Sequence, residues 1–224
     1  LDFSMKHLGP HGMPAGLHAD WNDCLRLGAG GESSFVAFQF YYAFTILREF
    51  AARKEDSGYL AWLERQQAML RTRLNDLCWD GDRFIRGFTE AGEVIGYHSA
   101  PEANLWLNPQ TWAVISGLAD EKQAGLAMDN VYRQLNTEYG AILMDPPYHA
   151  HAFDGALAVI YNAGAKENAG VFSQSQGWLI LAEALLGHGE RAFAYFRENA
   201  PSMQNDRAEI RTIEPYCYGQ FTEG

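Results

Sequence analysis

The chain has 224 residues, 47% hydrophobic and 13% aromatic, enough to bury the core of one large domain or two small ones. Its 28 acidic residues outweigh 17 basic ones for a net charge of −11, and no Lys/Arg cluster stands ready to replace phosphate counterions, which argues against nucleic acid and anionic membranes as partners. Cys24, Cys78 and Cys217 form an odd set without disulfide or zinc spacing, so a reducing, cytoplasmic compartment is expected, and no apolar run reaches membrane-spanning length.

Residues 1–34 are glycine-rich and irregular, with an evident loop at Gly9-Pro10-His11-Gly12-Met13-Pro14. Inside them runs Gly16-Leu17-His18-Ala19-Asp20-Trp21-Asn22-Asp23-Cys24-Leu25-Arg26, which places two carboxylates, an indole, an amide and a guanidinium within the seven positions 20–26. Sugars are bound by such mixtures: ring faces meet C–H edges, and planar polar groups meet hydroxyl pairs. A carboxyl beside an aromatic ring is also the kind whose pKa rises, as a general acid requires.

Ser33 or Ser34 can cap a helix over 35–54, whose apolar residues lie nearly all round, so it should be buried on two sides. Ser57-Gly58 breaks the chain before an amphipathic helix over 59–77 with Leu60, Leu63, Gln67, Leu70 and Leu74 on one face. The period then changes, and 79–97 reads as a hairpin or extended excursion. A third helix opens at Asn108-Pro109 and runs to 115, a fourth is capped by Asp120 and runs to 135, and a long irregular segment fills 136–174. Helices resume over 175–186 and 190–198, and 210–221 is expected to be extended.

Buried and amphipathic helices thus alternate in pairs, with polar-aromatic loops at every second junction. The pattern predicts an all-α fold with short β excursions, laid out as part of an α/α barrel whose loops at one end form the site. An open helical repeat and an irregular bundle are the other layouts; the lack of a fixed period disfavours the solenoid.

Several motifs dissolve on inspection. Asp20-x-Asn22-Asp23 lacks the fifth and sixth residues of an EF-hand loop, which here are Cys24 and Leu25. Gly28-Ala29-Gly30-Gly31 has neither a preceding strand nor a following Gly-Lys-Ser/Thr, and Ser33 lacks a G-x-S-x-G context. His149-x-His151 has no further ligand at metal spacing, so no metal and no cofactor is expected. Lys166-Glu167-Asn168-Ala169-Gly170 puts planar polar groups in a glycine-bounded loop. If 214–220 is extended, Glu214, Tyr216, Tyr218 and Gln220 share one face and can line a sugar.

Together, His18-Ala19-Asp20-Trp21-Asn22-Asp23-Cys24, Lys166-Glu167-Asn168-Ala169-Gly170, Gln176-Gly177-Trp178 and Glu214-Pro215-Tyr216-Cys217-Tyr218 resemble the inverting glycoside phosphorylases of the cellobiose and chitobiose phosphorylase family, closest to the N,N'-diacetylchitobiose type. The resemblance runs the length of the chain, and Asp-Trp-Asn-Asp is its most specific part. It implies that 1–224 is the middle to late part of an (α/α)6 catalytic barrel. A β-sandwich, the first part of the barrel, a C-terminal segment and the phosphate-binding residues would then lie outside these residues, and the isolated chain is expected to be inactive.

By the same resemblance Asp23 is the general acid. Trp21, Asn22, Glu167, Glu214, Tyr218, Gln220 and Gln174 are sugar contacts, and Asp20 orients the loop. Gln174 stands where cellobiose-type members carry His, which argues against simple cellobiose specificity. The implied reaction is reversible phosphorolysis of a β-linked disaccharide with inversion, with inorganic phosphate as co-substrate and a homodimer as the full-length form. An inverting hydrolase using Glu214 as base, a cellobiose-type phosphorylase and a non-catalytic carbohydrate-binding α-domain are the alternatives.

Overall fold

The computed structural model describes residues 1–150, 152–210, 214 and 216–223. A short helix α1 (Asp2–Lys6) leads into the irregular N-terminal loop, and the larger helices follow as α2 (Ser34–Arg53), α3 (Ser57–Cys78), α4 (Leu107–Ile115), α5 (Glu121–Asn130), α6 (Ser173–Leu185) and α7 (Gly189–Asn199). Helix α2 packs against α4 and α4 against α6, while α3, α5 and α7 each back the helix that precedes them. This is an arc of inner helices with an outer layer, part of an (α/α)6 barrel.

Caps fix where the helices start. Ser33 has extended backbone, and its Oγ accepts the Val36 N–H at 3.3 Å, so Ser33 and not Ser34 is the cap of α2. Helix α3 starts earlier than predicted because Asp56 Oδ1 accepts the Tyr59 N–H at 2.9 Å, leaving Gly58 in the first turn. Asp120 and Gln123 form a reciprocal capping box at α5. The predicted continuation to 135 is helical, but Val131–Leu135 widens into a π turn.

Each inner helix is entered from a two-residue strand. These are β1 (Glu32–Ser33) before α2, β4 (Leu105–Trp106) before α4 and β8 (Val171–Phe172) before α6. The remaining strands are β2 (Gly87–Phe88), β3 (Val94–Ile95), β5 (Asn136–Thr137), β6 (Gly140–Ala141), β7 (Met144–Asp145) and β9 (Phe221–Thr222). The excursion over 79–97 is the predicted hairpin: β2 lies between β1 and β3, with Gly87 opposite both Ser33 and Ile95. Gly87 has φ +154°, and a Cβ there would stand 2.2 Å from the Glu32 carbonyl oxygen, so only glycine lets these strands meet. Strand β7 pairs with β4 and β9 with β8, which carries the end of the chain to the start of α6.

A hidden repeat lies at the inner-helix entrances. Gln110 is the fourth residue of α4 and Gln176 the fourth of α6. Gln110 accepts the Phe84 N–H (2.8 Å) and donates to the Phe84 and Trp106 carbonyls (2.8 and 3.0 Å). Gln176 accepts the Ala141 N–H (2.9 Å) and donates to the Ala141 and Phe172 carbonyls (2.8 and 3.1 Å). Two buried amides thus stand in for strand partners, docking each incoming excursion onto its inner helix.

The prediction for 210–221 is corrected. Residues 201–210 form a 3-10 segment, 211–213 and 215 lie outside the described residues, and Phe221–Thr222 is extended. At Glu214 the chain closes a turn, with the Cys217 N–H donating to the Glu214 carbonyl at 3.0 Å. A backbone bond made locally cannot also serve a strand ladder, so the alternating face of Glu214, Tyr216, Tyr218 and Gln220 does not form.

A polar knot ties the excursions together. Asp82 meets the Arg83 guanidinium at 2.8 Å, the His98 ring at 3.2 Å and the Asn130 amide at 3.0 Å, and the Arg83 bond above all holds its carboxyl down at about 2. A lowered carboxylate pKa stabilises the fold above the ordinary value near 3.8 and stops doing so as pH falls through about 2. Asp82→Asn is therefore expected to lower the urea-unfolding free energy at pH 7 by about 1 kcal/mol, the pair being partly exposed. The gap to wild type should narrow as pH falls from 4 towards 2; a gap that stays constant with pH would contradict this.

Candidate active site

The first two turns of the inner helices point aromatic rings at one another. Phe35 of α2 and Trp178 of α6 have centroids 5.4 Å apart, and Trp112 of α4 lies 6.2 and 5.9 Å from them. Trp21 sits on this cluster, edge-on to Trp178 (5.7 Å) and Phe172 (5.1 Å). Its indole N–H donates to Gln174 Oε1 at 2.9 Å. The Asp-Trp-Asn-Asp motif is thereby seated over the N-terminal ends of the inner helices.

The loop itself is two successive turns closed by side chains. Asp20 Oδ1 accepts the Asn22 N–H at 2.9 Å, and Asn22 Oδ1 accepts the Cys24 N–H at 3.0 Å. Asp23, between them, is exposed and makes no hydrogen bond or ion pair among the described residues. On the far side the Arg26 N–H donates to Gly155 (3.0 Å) and the Leu157 N–H to Cys24 (2.9 Å). A Cβ at Gly155 would stand 1.8 Å from the Arg26 carbonyl oxygen, so this approach demands glycine.

Glu167 arrives from a second loop. Lys166 and Ala169 hold φ of +47° and +69°, and the Gly170 N–H closes onto Lys166 at 2.8 Å. Asn168 accepts the Tyr148 N–H (2.8 Å) and donates to the Tyr148 and Tyr161 carbonyls (both 2.9 Å), anchoring the loop from beneath. Glu167 is buried, and its Oε2 has no hydrogen-bond partner among the described residues. Burial first, then the negative charges of Glu167 and Asp23, push the Cys24 thiol upward.

A third segment completes the wall: the Ser173 Oγ–H donates to Gly219 (2.7 Å) and the Ser173 N–H to Gln220 (3.1 Å). The resulting cleft of about 220 Å³ is lined by Trp21, Asp23, Glu167, Phe172, Ser173, Gln174, Gly219 and Gln220. A larger cavity of about 760 Å³ opens elsewhere, beside Trp79, Tyr97, Glu102 and Phe153, and holds none of the predicted site residues.

Of those residues, Trp21, Asp23, Glu167, Gln174 and Gln220 converge on the smaller cleft, which brings together parts of the chain some 200 positions apart. Asn22 does not line it; it is buried beneath the loop, and its amide nitrogen has no partner among the described residues. Glu214 and Tyr218 are exposed and lie outside the cleft wall. Asp20 lies within the loop and accepts the Asn22 N–H there. His149 donates its N–H to Glu102 (3.1 Å), and His151 lies outside the described residues.

Sequence reading missed Arg86, the partner of Asp20. Its guanidinium is fully buried, meeting Asp20 Oδ1 and, at 2.7 Å, Ser33 Oγ. A signal existed: Phe84-Ile85-Arg86-Gly87-Phe88 sets a lone charge in an apolar stretch, and a buried charge needs a partner.

An arc of paired helices with an Asp-Trp-Asn-Asp loop over its inner ends has a counterpart among known proteins: the profile of the glycosyl hydrolase 94 superfamily, catalytic domain, matches residues 1–224, and the chain belongs to that family. It is 38% identical to N,N'-diacetylchitobiose phosphorylase of Vibrio furnissii over 100% of this chain and 28% of that protein. Solabiose phosphorylase of Paenibacillus borealis is 29% identical over 96% of this chain and 29% of its own length. Cyclic beta-(1,2)-glucan synthase NdvB of Rhizobium meliloti is 30% identical over 96% of this chain and 8% of its own length. The chain thus spans less than a third of these relatives. No helix among the described residues is long and apolar enough to cross a membrane.

Proposed function

We propose that this chain is the acid-bearing part of the catalytic barrel of a longer inverting glycoside phosphorylase, acting in the cytoplasm as a homodimer on a β-linked disaccharide, N,N'-diacetylchitobiose in the first instance. The reading is carried by the convergence of Asp23, Trp21, Glu167, Gln174 and Gln220 on one cleft of a glycosyl hydrolase 94 catalytic domain. Phosphate attacks C1 from the face opposite the glycosidic bond as the C1–O bond breaks. Asp23 gives its proton to the departing oxygen, and the proton that arrives on phosphate restores it, so the balance needs no separate base. Trp21 offers an apolar face to the sugar, and Gln174 and Gln220 offer amide groups to its hydroxyls.

The test is phosphate release during synthesis by the full-length protein. α-N-acetylglucosamine 1-phosphate with N-acetylglucosamine should release phosphate, and the glucose 1-phosphate and glucose pair should not. Release only with the glucose pair would move the assignment to a cellobiose-type phosphorylase. A second reading, inverting hydrolysis, draws on Glu167, a further carboxylate in the same cleft, in place of the Glu214 expected from sequence. Disaccharide cleavage in phosphate-free buffer, with no synthesis from either pair, would establish it instead.

A further inference from the structure

We propose that Arg86 is the positioning residue of the acid loop, aiming Asp23 through Asp20 without meeting the sugar. The inference rests on the reading of Asp23 as general acid. Arg86 is held on both sides, its N–H donating to Ile95 (2.7 Å) and its carbonyl accepting the Ser34 N–H (3.1 Å). Its guanidinium lies over the Phe35 and Trp106 rings, 5.8 and 5.4 Å from their centroids. One arm reaches Ser33, the residue that caps α2, and the other reaches Asp20.

The Asp20 oxygen that takes Arg86 also takes the Asn22 N–H, and Asn22 in turn takes the Cys24 N–H. An unbroken line of hydrogen bonds therefore runs from the head of an inner helix to the residues on either side of Asp23. Asp20 has no other ion-pair partner among the described residues, and its second oxygen is buried and unpaired. With the guanidinium gone, only the loop's own Asn22 N–H would still meet this carboxylate, and the turn that presents Asp23 would lose its tie to the head of the helix. The guanidinium is 0% exposed, so it acts at a distance from substrate. The planar guanidinium meets Ser33 and Asp20 with separate nitrogens, a spread that lysine's compact ammonium does not reproduce.

The experiment uses the full-length protein with two substrates of the same donor sugar: the disaccharide, whose leaving oxygen needs a proton, and the 2,4-dinitrophenyl β-glycoside, whose leaving group does not. Arg86→Met should lower kcat for disaccharide phosphorolysis about 10²-fold, the usual cost of an ångström-scale misplacement, with KM nearly unchanged. The dinitrophenyl glycoside should lose less than about tenfold, since acid assistance contributes little to its departure. Asp20→Asn should reproduce this selectivity, the double variant should add nothing, and Arg86→Lys should recover part of the loss. The ratio of the two rates does not depend on how much enzyme is folded, so a poorly folding variant still answers the question. Equal losses on both substrates would overturn the positioning role. Asp23→Asn, run alongside, tests the underlying reading separately: if it spares the disaccharide, that reading fails, and if it alone is selective, only the role of Arg86 falls.

Discussion

Asp23→Asn is expected to remove about 10²–10⁴-fold of kcat for disaccharide phosphorolysis in the full-length protein, the range general acid catalysis supplies. The structure makes this a clean substitution. Asp23 is exposed and makes no hydrogen bond or ion pair among the described residues, while the loop is held by its neighbours. An amide of the same shape therefore removes a proton donor and no structural contact, and unfolding free energy should stay within about 0.5 kcal/mol of wild type. KM for the disaccharide should barely move, because the proposed function assigns the grip on the sugar to Trp21 and the amides and not to Asp23. Turnover within about tenfold of wild type would sink the assignment, since no effect that small is compatible with loss of the acid.

Gln176→Ala is expected to be the most damaging change to the fold among the polar substitutions, at about 2–4 kcal/mol of stability in urea unfolding. The side chain is nearly fully buried, and its removal leaves both the N–H and the carbonyl of Ala141 in an apolar interior without partners. A hydrogen bond whose two ends vanish together costs little, whereas two backbone groups left dry cost their full desolvation. Gln110→Ala should match it, because Gln110 treats Phe84 as Gln176 treats Ala141. Gln176→Glu would retain one acceptor but bury a charge, so it should not rescue. Losses below about 0.5 kcal/mol would mean that water reaches these groups and that the clamps are ornamental.

These two glutamines also mark the limit of what the sequence disclosed. The helices were legible because apolar spacing and short polar caps act locally, as at Ser33 and Asp120. The acid motif was legible because its residue types are compressed into one turn. The repeat was not: Trp106-Leu107-Asn108-Pro109-Gln110-Thr111-Trp112 and Phe172-Ser173-Gln174-Ser175-Gln176-Gly177-Trp178 share a Gln and a Trp at equal spacing, but excursions of unequal length separate the copies. Long-range partners were equally hidden. Nothing near Asp20 announces Arg86, and nothing near Trp21 announces Gln174, because each pairing is made by the packing of helices and not by neighbours in the chain. The segment from Glu214 misled because alternation of polar and aromatic residues describes a strand equally well when the chain actually turns back on itself.

The cleft is a chord drawn across an arc. Its acid loop is seated at the head of α2, its Gln174 wall belongs to α6, and α4 stands between the two without contributing a lining residue. Phe35 of α2 and Trp178 of α6 meet directly at 5.4 Å, and Trp112 of α4 braces both rings from a helix that lines none of the cleft. Ala113 of α4 is fully buried in the cluster that holds Ala37, Phe38 and Tyr41 of α2, so a carbon added there pushes against that packing. Such a change would load the aromatic bracket on which Trp21 and its 2.9 Å bond to Gln174 rest, so the cleft is sensitive to a helix that contributes none of its lining.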